Sequence, residues 1–172
     1  MSQESHQTPV AIVEGIGPGV IGRVTEMHGR HYAAAAGFDH GFEALVAREL
    51  AGFCADPPPR SAIWTARSGG AILGSVAIDG HRWPGPAHLR WFIVDPALRG
   101  QGAGRRLLRA AVDFCDAAGF SGIELWTFAG LDAARHLYEA EGFACVEKRP
   151  GDRWGREVME QRFLRPAPQP AP

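Results

Sequence analysis

Residues 93–108 constrain the fold of this chain more than any other stretch. They read Ile-Val-Asp-Pro-Ala-Leu-Arg-Gly-Gln-Gly-Ala-Gly-Arg-Arg-Leu-Leu. The segment begins as an apolar, β-branched strand end and passes through a proline turn. Three glycines follow within five residues, Gly100, Gly102 and Gly104, and an amphipathic helix begins. Glycine lets backbone N–H groups turn outward with no Cβ in the way. The first N–H groups of the helix have no partner within it, and its dipole is positive at that end. A strand, a glycine turn and a helix N-terminus in that order form a seat for an anion, most often phosphate.

The chain before the turn changes period once. A short strand is expected over 10–14, broken by the glycines of 15–19. From about 18 to 36 the pattern is helical, with Val20, Val24, Met27 and His31 on one face. A second helix is expected over 40–53, burying Phe42, Leu45, Val46, Leu50 and Phe53 until the prolines at 57–59 end it. Residues 62–67 and 71–79 then read as a hairpin closed by Gly69 and Gly70. Residues 87–95 follow as a third strand, with Leu89, Trp91 and Ile93 on one face and His88, Arg90, Phe92 and Val94 on the other.

After the turn, a helix runs to about 118, burying Leu107, Leu108, Ala111, Val112 and Cys115. A strand over 122–128 comes next. Strand, crossover helix and strand imply parallel pairing of 87–95 with 122–128. A helix over 132–141 ends at Gly142, and strands over 143–149 and 157–163 close the domain. The fold class is α/β with a mixed sheet, an antiparallel meander running into a βαβ crossover. One domain spans 10–164, between a disordered segment 1–9 and a disordered proline-rich tail 165–172.

Composition narrows the function classes. The net charge is −1, so no global field draws the chain to nucleic acid or an anionic membrane. No basic segment followed by an apolar run opens the chain, and no apolar stretch approaches membrane-spanning length; the expected location is cytoplasmic. Cys54, Cys115 and Cys145 lie far apart without metal-ligand spacing and read as buried, reduced thiols, so no metal is expected. The glycine turn lacks the Lys-Ser or Lys-Thr of a Walker A loop, and Gly100-x-Gly102-x-Gly104 departs from GxGxxG. A third class, a nucleotide-binding protein of another α/β type, is disfavoured by the meander ahead of the turn.

Two linked motifs go further. The frame Arg99-x-x-Gly102-x-Gly104 lies about thirty residues before Ala134-x-x-Leu137-Tyr138-x-x-x-Gly142-Phe143. With both in this order, the chain resembles the GNAT family of N-acetyltransferases over residues 10–164. Segments 91–96, 125–128 and 154–156 are similar, more narrowly, to acetyltransferase domains fused behind MarR-type regulators. With no winged-helix portion ahead of these segments, that likeness implies a free-standing catalytic half.

The resemblance implies acetyl-CoA as acyl donor and a GNAT fold with splayed parallel central strands. The N–H groups of Gln101, Gly102, Ala103 and Gly104 would hold its pyrophosphate, Gly100 allowing the turn and Arg99 and Arg105 adding charge. The main chain of Phe92, Ile93 and Val94 would pair with pantetheine, and an N–H near Val94 would face the thioester oxygen. The implied reaction is direct attack by a neutral amine, which needs a base for the ammonium proton and an acid for the thiolate. Tyr138 is the acid candidate; phenol and thiol reference pKa values, about 10 and about 8.5, are compatible with that transfer. His31, Glu43, His88, Glu124 and a water chain stay open as the base. Leu131 stands where many members carry an asparagine, so one side-chain contact to the cofactor is missing.

Tyr32, Phe42, Glu43 and Trp126, with Phe38 and Trp154, are expected to line the acceptor pocket. That lining favours a small amine with an apolar or aromatic body over a polyamine. The acceptor is a small-molecule amine or a protein amino group, and a homodimer is expected from the family likeness. The alternative reading is a non-catalytic acyl-CoA sensor that keeps the glycine turn but not turnover.

Overall fold

The computed structural model describes residues 9–169. The chain runs β1 (Ala11–Glu14), α1 (Val20–Ala36), α2 (His40–Ala55), β2 (Ala62–Ser68), β3 (Ala71–Asp79), β4 (Ala87–Val94), a 3₁₀ turn (Pro96–Leu98), α3 (Ala103–Ala118), β5 (Gly122–Phe128), α4 (Asp132–Ala140), β6 (Ala144–Gly151) and β7 (Val158–Pro166). One seven-stranded sheet has the order β1-β2-β3-β4-β5-β7-β6. All neighbours are antiparallel except β4 and β5.

Each face of the sheet carries its own apolar layer. Leu107, Leu108, Ala111, Val112 and Cys115 of α3 pack on Val76, Leu89, Ile123, Leu125 and Phe163. On the opposite face Val20, Val24 and Met27 of α1 and Phe42, Val46, Leu50 and Phe53 of α2 pack on Ala77, Trp91, Ile93 and Phe128. The apolar stripe of α3 is the one its periodicity predicts, and so is that of α2 except at Leu45, which is half-buried. In α1 the stripe turns by one position: His28 is buried and His31 exposed. His28 follows Val24 by four residues and shares the buried face with Val24 and Met27, while His31 turns outward.

Two other expectations are corrected. Arg165 and Pro166 belong to β7, not to a tail. Arg165 is tied down by Nη1 and Nη2 donating to the Asp116 carboxylate at 2.8 and 2.9 Å, and by Nε donating to the Glu141 carbonyl at 2.9 Å. Of the cysteines only Cys115 is buried; Cys54 and Cys145 are half-buried. The disorder expected for 1–9 and the end of the tail falls, for 1–8 and 170–172, outside the described residues. Among those described, no helix is long and apolar enough to cross a membrane.

Candidate active site

The site begins with an irregularity in β4. Ala77 of β3 faces Arg90, but Ser75 faces Ile93, so β4 carries one extra residue. The insertion centres on Trp91, a non-glycine residue at φ 49°. A bulge adds local twist and shifts the side-chain alternation by one. Leu89 therefore joins the α3 layer, while Trp91 and Ile93 join the α1/α2 layer. The expected single face through Leu89, Trp91 and Ile93 does not exist. Buried Ser75 holds the bulge, its Oγ donating to the Trp91 carbonyl at 2.7 Å.

The bulge opens the sheet. β4 and β5 pair only at Ala87 with Ile123 and His88 with Glu124. Beyond those pairs β4 turns away, and its edge from Leu89 to Val94 has no strand beside it on the β5 side. An unpaired strand edge offers N–H and C=O groups to an extended ligand.

The glycine turn lies at the end of this edge. Gly100 and Gly102 have φ 74° and 70°, the left-handed values their lack of Cβ permits. The Gln101 N–H donates to the Leu98 carbonyl at 3.2 Å and its side chain to the Ala97 carbonyl at 3.0 Å. The free N–H groups are those of Gly102, Ala103, Gly104 and Arg105, one residue later than the set expected. Gly104 has a separate reason to be glycine. A Cβ there would lie 3.0 Å from Leu137 and 3.4 Å from Val94, so its absence lets α3 approach α4 and β4 closely. A cavity of about 490 Å³ adjoins this end of β4, with Ile93, Val94, Arg99, Arg23 and His31 in its wall. His31 thus lies beside Arg99 rather than in the acceptor cleft.

A second cleft, of about 350 Å³, occupies the splay. Tyr138 of α4 reaches it, with its ring packed on Phe92 at 5.6 Å and on Phe143 and Phe163 at 5.9 Å. Burial drives the Tyr138 phenol well above its ordinary pKa of 10, so it keeps its proton. Gly142, at φ 88°, closes α4 as expected, and the Phe143 N–H donates to the Tyr138 carbonyl at 3.0 Å. Leu131, ahead of α4, gives no side-chain cap and packs into the α1/α2 layer.

Tyr32, Phe42, Trp126 and Trp154 line the cleft as expected. Phe38 stands behind it, its ring 5.0 Å from Phe42 and 5.2 Å from Phe128. Glu43 is exposed and lies over Gly29 of α1, where a Cβ would meet its Oε2 at 2.6 Å; it is outside the cleft. Glu124 is buried and ion-paired with Arg82 and Arg162, and it too is outside the lining. Of the four side-chain base candidates only His88 lines the cleft.

Sequence reasoning missed His28, Glu49, Arg90 and Arg153, all of which line it. His28 had a signal, its four-residue spacing from Val24. The others had none, because each acts through a partner remote in sequence. Glu49 of α2 pairs with Arg90 of β4, and Arg153 of the β6–β7 loop lies over the Trp126 ring at 4.1 Å.

Both cleft histidines are neutral. His28 Nδ1 is 2.8 Å from the Val24 carbonyl, to which it donates. Burial lowers its pKa to about 4, and burial aided by Arg90 and Arg82 lowers that of His88 to about 3. The unfolded chain takes up these protons near pH 6.5, so their contribution to stability is present above that pH and is lost as pH falls. Urea unfolding between pH 6.5 and 5 should show stability falling by up to about 1.4 kcal/mol per pH unit for each histidine. His28→Gln should reduce that slope by up to about 1.4 kcal/mol per pH unit; an unchanged slope would show that His28 is charged in the folded state.

The sheet is mixed and splayed at its parallel pair, and a glycine turn opens α3 beside the splay. The model of the acetyltransferase (GNAT) family matches residues 27–143, and the chain belongs to that family. It is 41% identical over 83 residues to the N-alpha-acetyltransferase RimI of Mycobacterium tuberculosis, covering 47% of this chain and 51% of that one. It is 35% identical over 86 residues to human N-acetylaspartate synthetase, covering 50% of this chain and 28% of that one. The chain thus spans about half or less of the length of these relatives. Among solved structures, YncA, a putative acetyltransferase from Salmonella typhimurium, superposes with TM-score 0.72 at 19% identity, covering 95% and 96% of the two chains. The ribosomal-protein-S18-alanine N-acetyltransferase of Escherichia coli superposes with TM-score 0.67 at 21% identity, covering 95% and 97%. At these identities the structural likeness establishes the fold.

Proposed function

We propose that this protein is an acetyl-CoA-dependent N-acetyltransferase acting on a primary amine by direct transfer. The observation that carries the reading is the bulge-opened β4 edge, which joins the free N–H groups of the α3 N-terminus to the cleft holding Tyr138. The relatives' names support it, since both denote N-acetyl chemistry.

The chain's own groups fit the donor. Gly102, Ala103, Gly104 and Arg105 present N–H groups to a pyrophosphate, Arg99 and Arg105 add positive charge, and Phe92, Ile93 and Val94 offer an unpaired strand edge to pantetheine amides. When bound, acetyl-CoA supplies an activated thioester. Tyr138 holds a proton beside the β4 edge, gives it to the sulfur as the acyl–sulfur bond breaks, and takes back the second proton that the attacking nitrogen sheds as the amide forms. The ammonium proton of the acceptor leaves through the open mouth of the cleft, by water, with Glu49 and His88 among the polar groups of its lining. None of the cysteines lines the cleft, which favours direct transfer over an acylated enzyme.

Residues 10–166 form the catalytic domain in this reading, and the narrower likeness to MarR-fused acetyltransferase domains belongs to it. So do a cytoplasmic location and a homodimer, the latter to be tested by sedimentation. Acetyl-CoA should raise the melting temperature, and adding an amine panel should release free thiol. Stabilisation without thiol release across the panel would favour the sensor reading; no stabilisation by any CoA compound would overturn both.

A further inference from the structure

Charged groups stand at both ends of the cleft. On the β4 side Arg90 is held by two carboxylates, Glu49 and, at 3.6 Å, Asp79, which also lies 2.7 Å from His81 Nδ1. Glu49 lines the cleft and its side chain is 41% exposed. On the β5 side the bare face of β5, β6 and β7 carries a connected ionic layer. Arg82 and Arg162 pair with Glu124, Arg162 and Arg149 with Glu147, and Arg149 and Arg153 with Glu160. Four guanidiniums meet three carboxylates, leaving one positive charge in excess.

That excess is presented at Arg153. Its only ion-pair contact is Nε to Glu160 at 3.6 Å, beyond hydrogen-bond distance, and its terminal nitrogens have no partner among the described residues. Glu160 is only 3% exposed at its side chain and accepts instead from the Arg153 N–H at 3.0 Å. The guanidinium lies over Trp126 at 4.1 Å, with Arg149 also within 4.9 Å of that ring. Stacking fixes the plane of a guanidinium and leaves its N–H edge free, which suits a carboxylate. The β6–β7 loop is itself anchored, with Arg156 Nη1 donating to the Ala36 carbonyl at 2.9 Å and Trp154 packed on Phe128 at 5.5 Å.

We infer that the acceptor is a small amine that also carries a carboxylate, an amino acid rather than a polyamine or a neutral amine. Its carboxylate is taken by Arg153, and its ammonium end is drawn toward Glu49 before losing its proton. A polyamine would set a second cation against the Arg153 end, and a neutral amine would leave that guanidinium without an anion. This rests on the acetyltransferase reading for the fate of the amine, but the recognition of the carboxylate is testable without turnover.

The test is calorimetric titration of the protein saturated with CoA, using L-phenylalanine, L-methionine and L-aspartate, each against its α-amide, with spermidine alongside. Charge-assisted hydrogen bonds to a free guanidinium should make at least one acid bind at least about tenfold more tightly than its amide and than spermidine. Arg153→Gln should collapse that acid-to-amide ratio to near one. A structural role for Arg153 would weaken acid and amide together and leave the ratio standing. Acids that bind no better than amides, or a preference that survives in Arg153→Gln, would overturn the inference. Thiol release from acetyl-CoA with the same compounds is read separately. Tight, Arg153-dependent acid binding without thiol release would retain the carboxylate site and reject acetyl transfer.

Discussion

Tyr138→Phe should lower kcat by about a hundredfold or more while leaving the acetyl-CoA dissociation constant within about twofold. The variant loses one oxygen and keeps the ring that packs on Phe92, Phe143 and Phe163. The donor's proposed contacts, with the β4 edge and the α3 N-terminus, do not include the phenol. The hydroxyl is held protonated by burial, so a proton stands beside the departing thiolate throughout the neutral range. Steady-state thiol release and calorimetry measure the two quantities separately. A variant as active as the wild type would remove the acid role from Tyr138. A large loss of acetyl-CoA affinity would mean that the side chain shapes the donor site rather than the reaction.

The second large effect is expected at a residue that touches no substrate. Ser75→Ala removes the donor to the Trp91 carbonyl and leaves the rest of the residue in place. A buried carbonyl left without its partner should lower unfolding free energy by about 2 kcal/mol, measured by urea denaturation. The consequence for function should be larger than for a distant core substitution of equal cost. That hydrogen bond secures the extra residue of β4, and the extra residue turns β4 away from β5. Acetyl-CoA affinity should therefore fall by about tenfold or more. A control, Ile78→Val, removes a buried methylene from β3 beyond the bulge; it should cost about 1 kcal/mol and leave acetyl-CoA affinity unaltered. Equal affinity in Ser75→Ala and the control would show that the bulge holds without the Ser75 hydroxyl.

Much of the fold could be read from local pattern. The hairpin at Gly69 and Gly70 uses two left-handed residues, φ 56° and 83°, as a two-residue loop of two glycines predicts. The apolar stripe of α3 and the end of α4 at Gly142 follow from spacing and from the lack of a Cβ. The central strand misled for a definite reason. Apolar residues at 89, 91 and 93 suggest one face, but strand alternation counts residues along an unbroken pleat. One inserted residue at Trp91 reverses the phase, and no glycine or proline marks the place. His28 and His31 differ by less than one helical turn, and only the sheet beneath α1 decided which would be buried.

The acceptor side shows a different limit. Its aromatic residues were foreseen, and Tyr32, Phe42 and Trp126 do meet there. Its charges were not. Glu49 and Arg90 are 41 positions apart, and Trp126 and Arg153 are 27 apart. Their meaning lies in which residues neutralise each other and which is left over, a property of juxtaposition alone. Glu43, seven residues after Ala36 and acidic like Glu49, turned instead toward Gly29.

The sequence by itself determined the anion-seating turn at 93–108, because the left-handed backbone and the unpaired helix N–H groups depend on neighbours along the chain. It determined Tyr138's place on a short helix closed by glycine for the same reason. Tertiary structure alone decided that β4 would bulge, that the sheet would open beside Tyr138, and that one guanidinium would be left over at the cleft wall. Each of these depends on the register and charge of strands that meet only after the chain has folded.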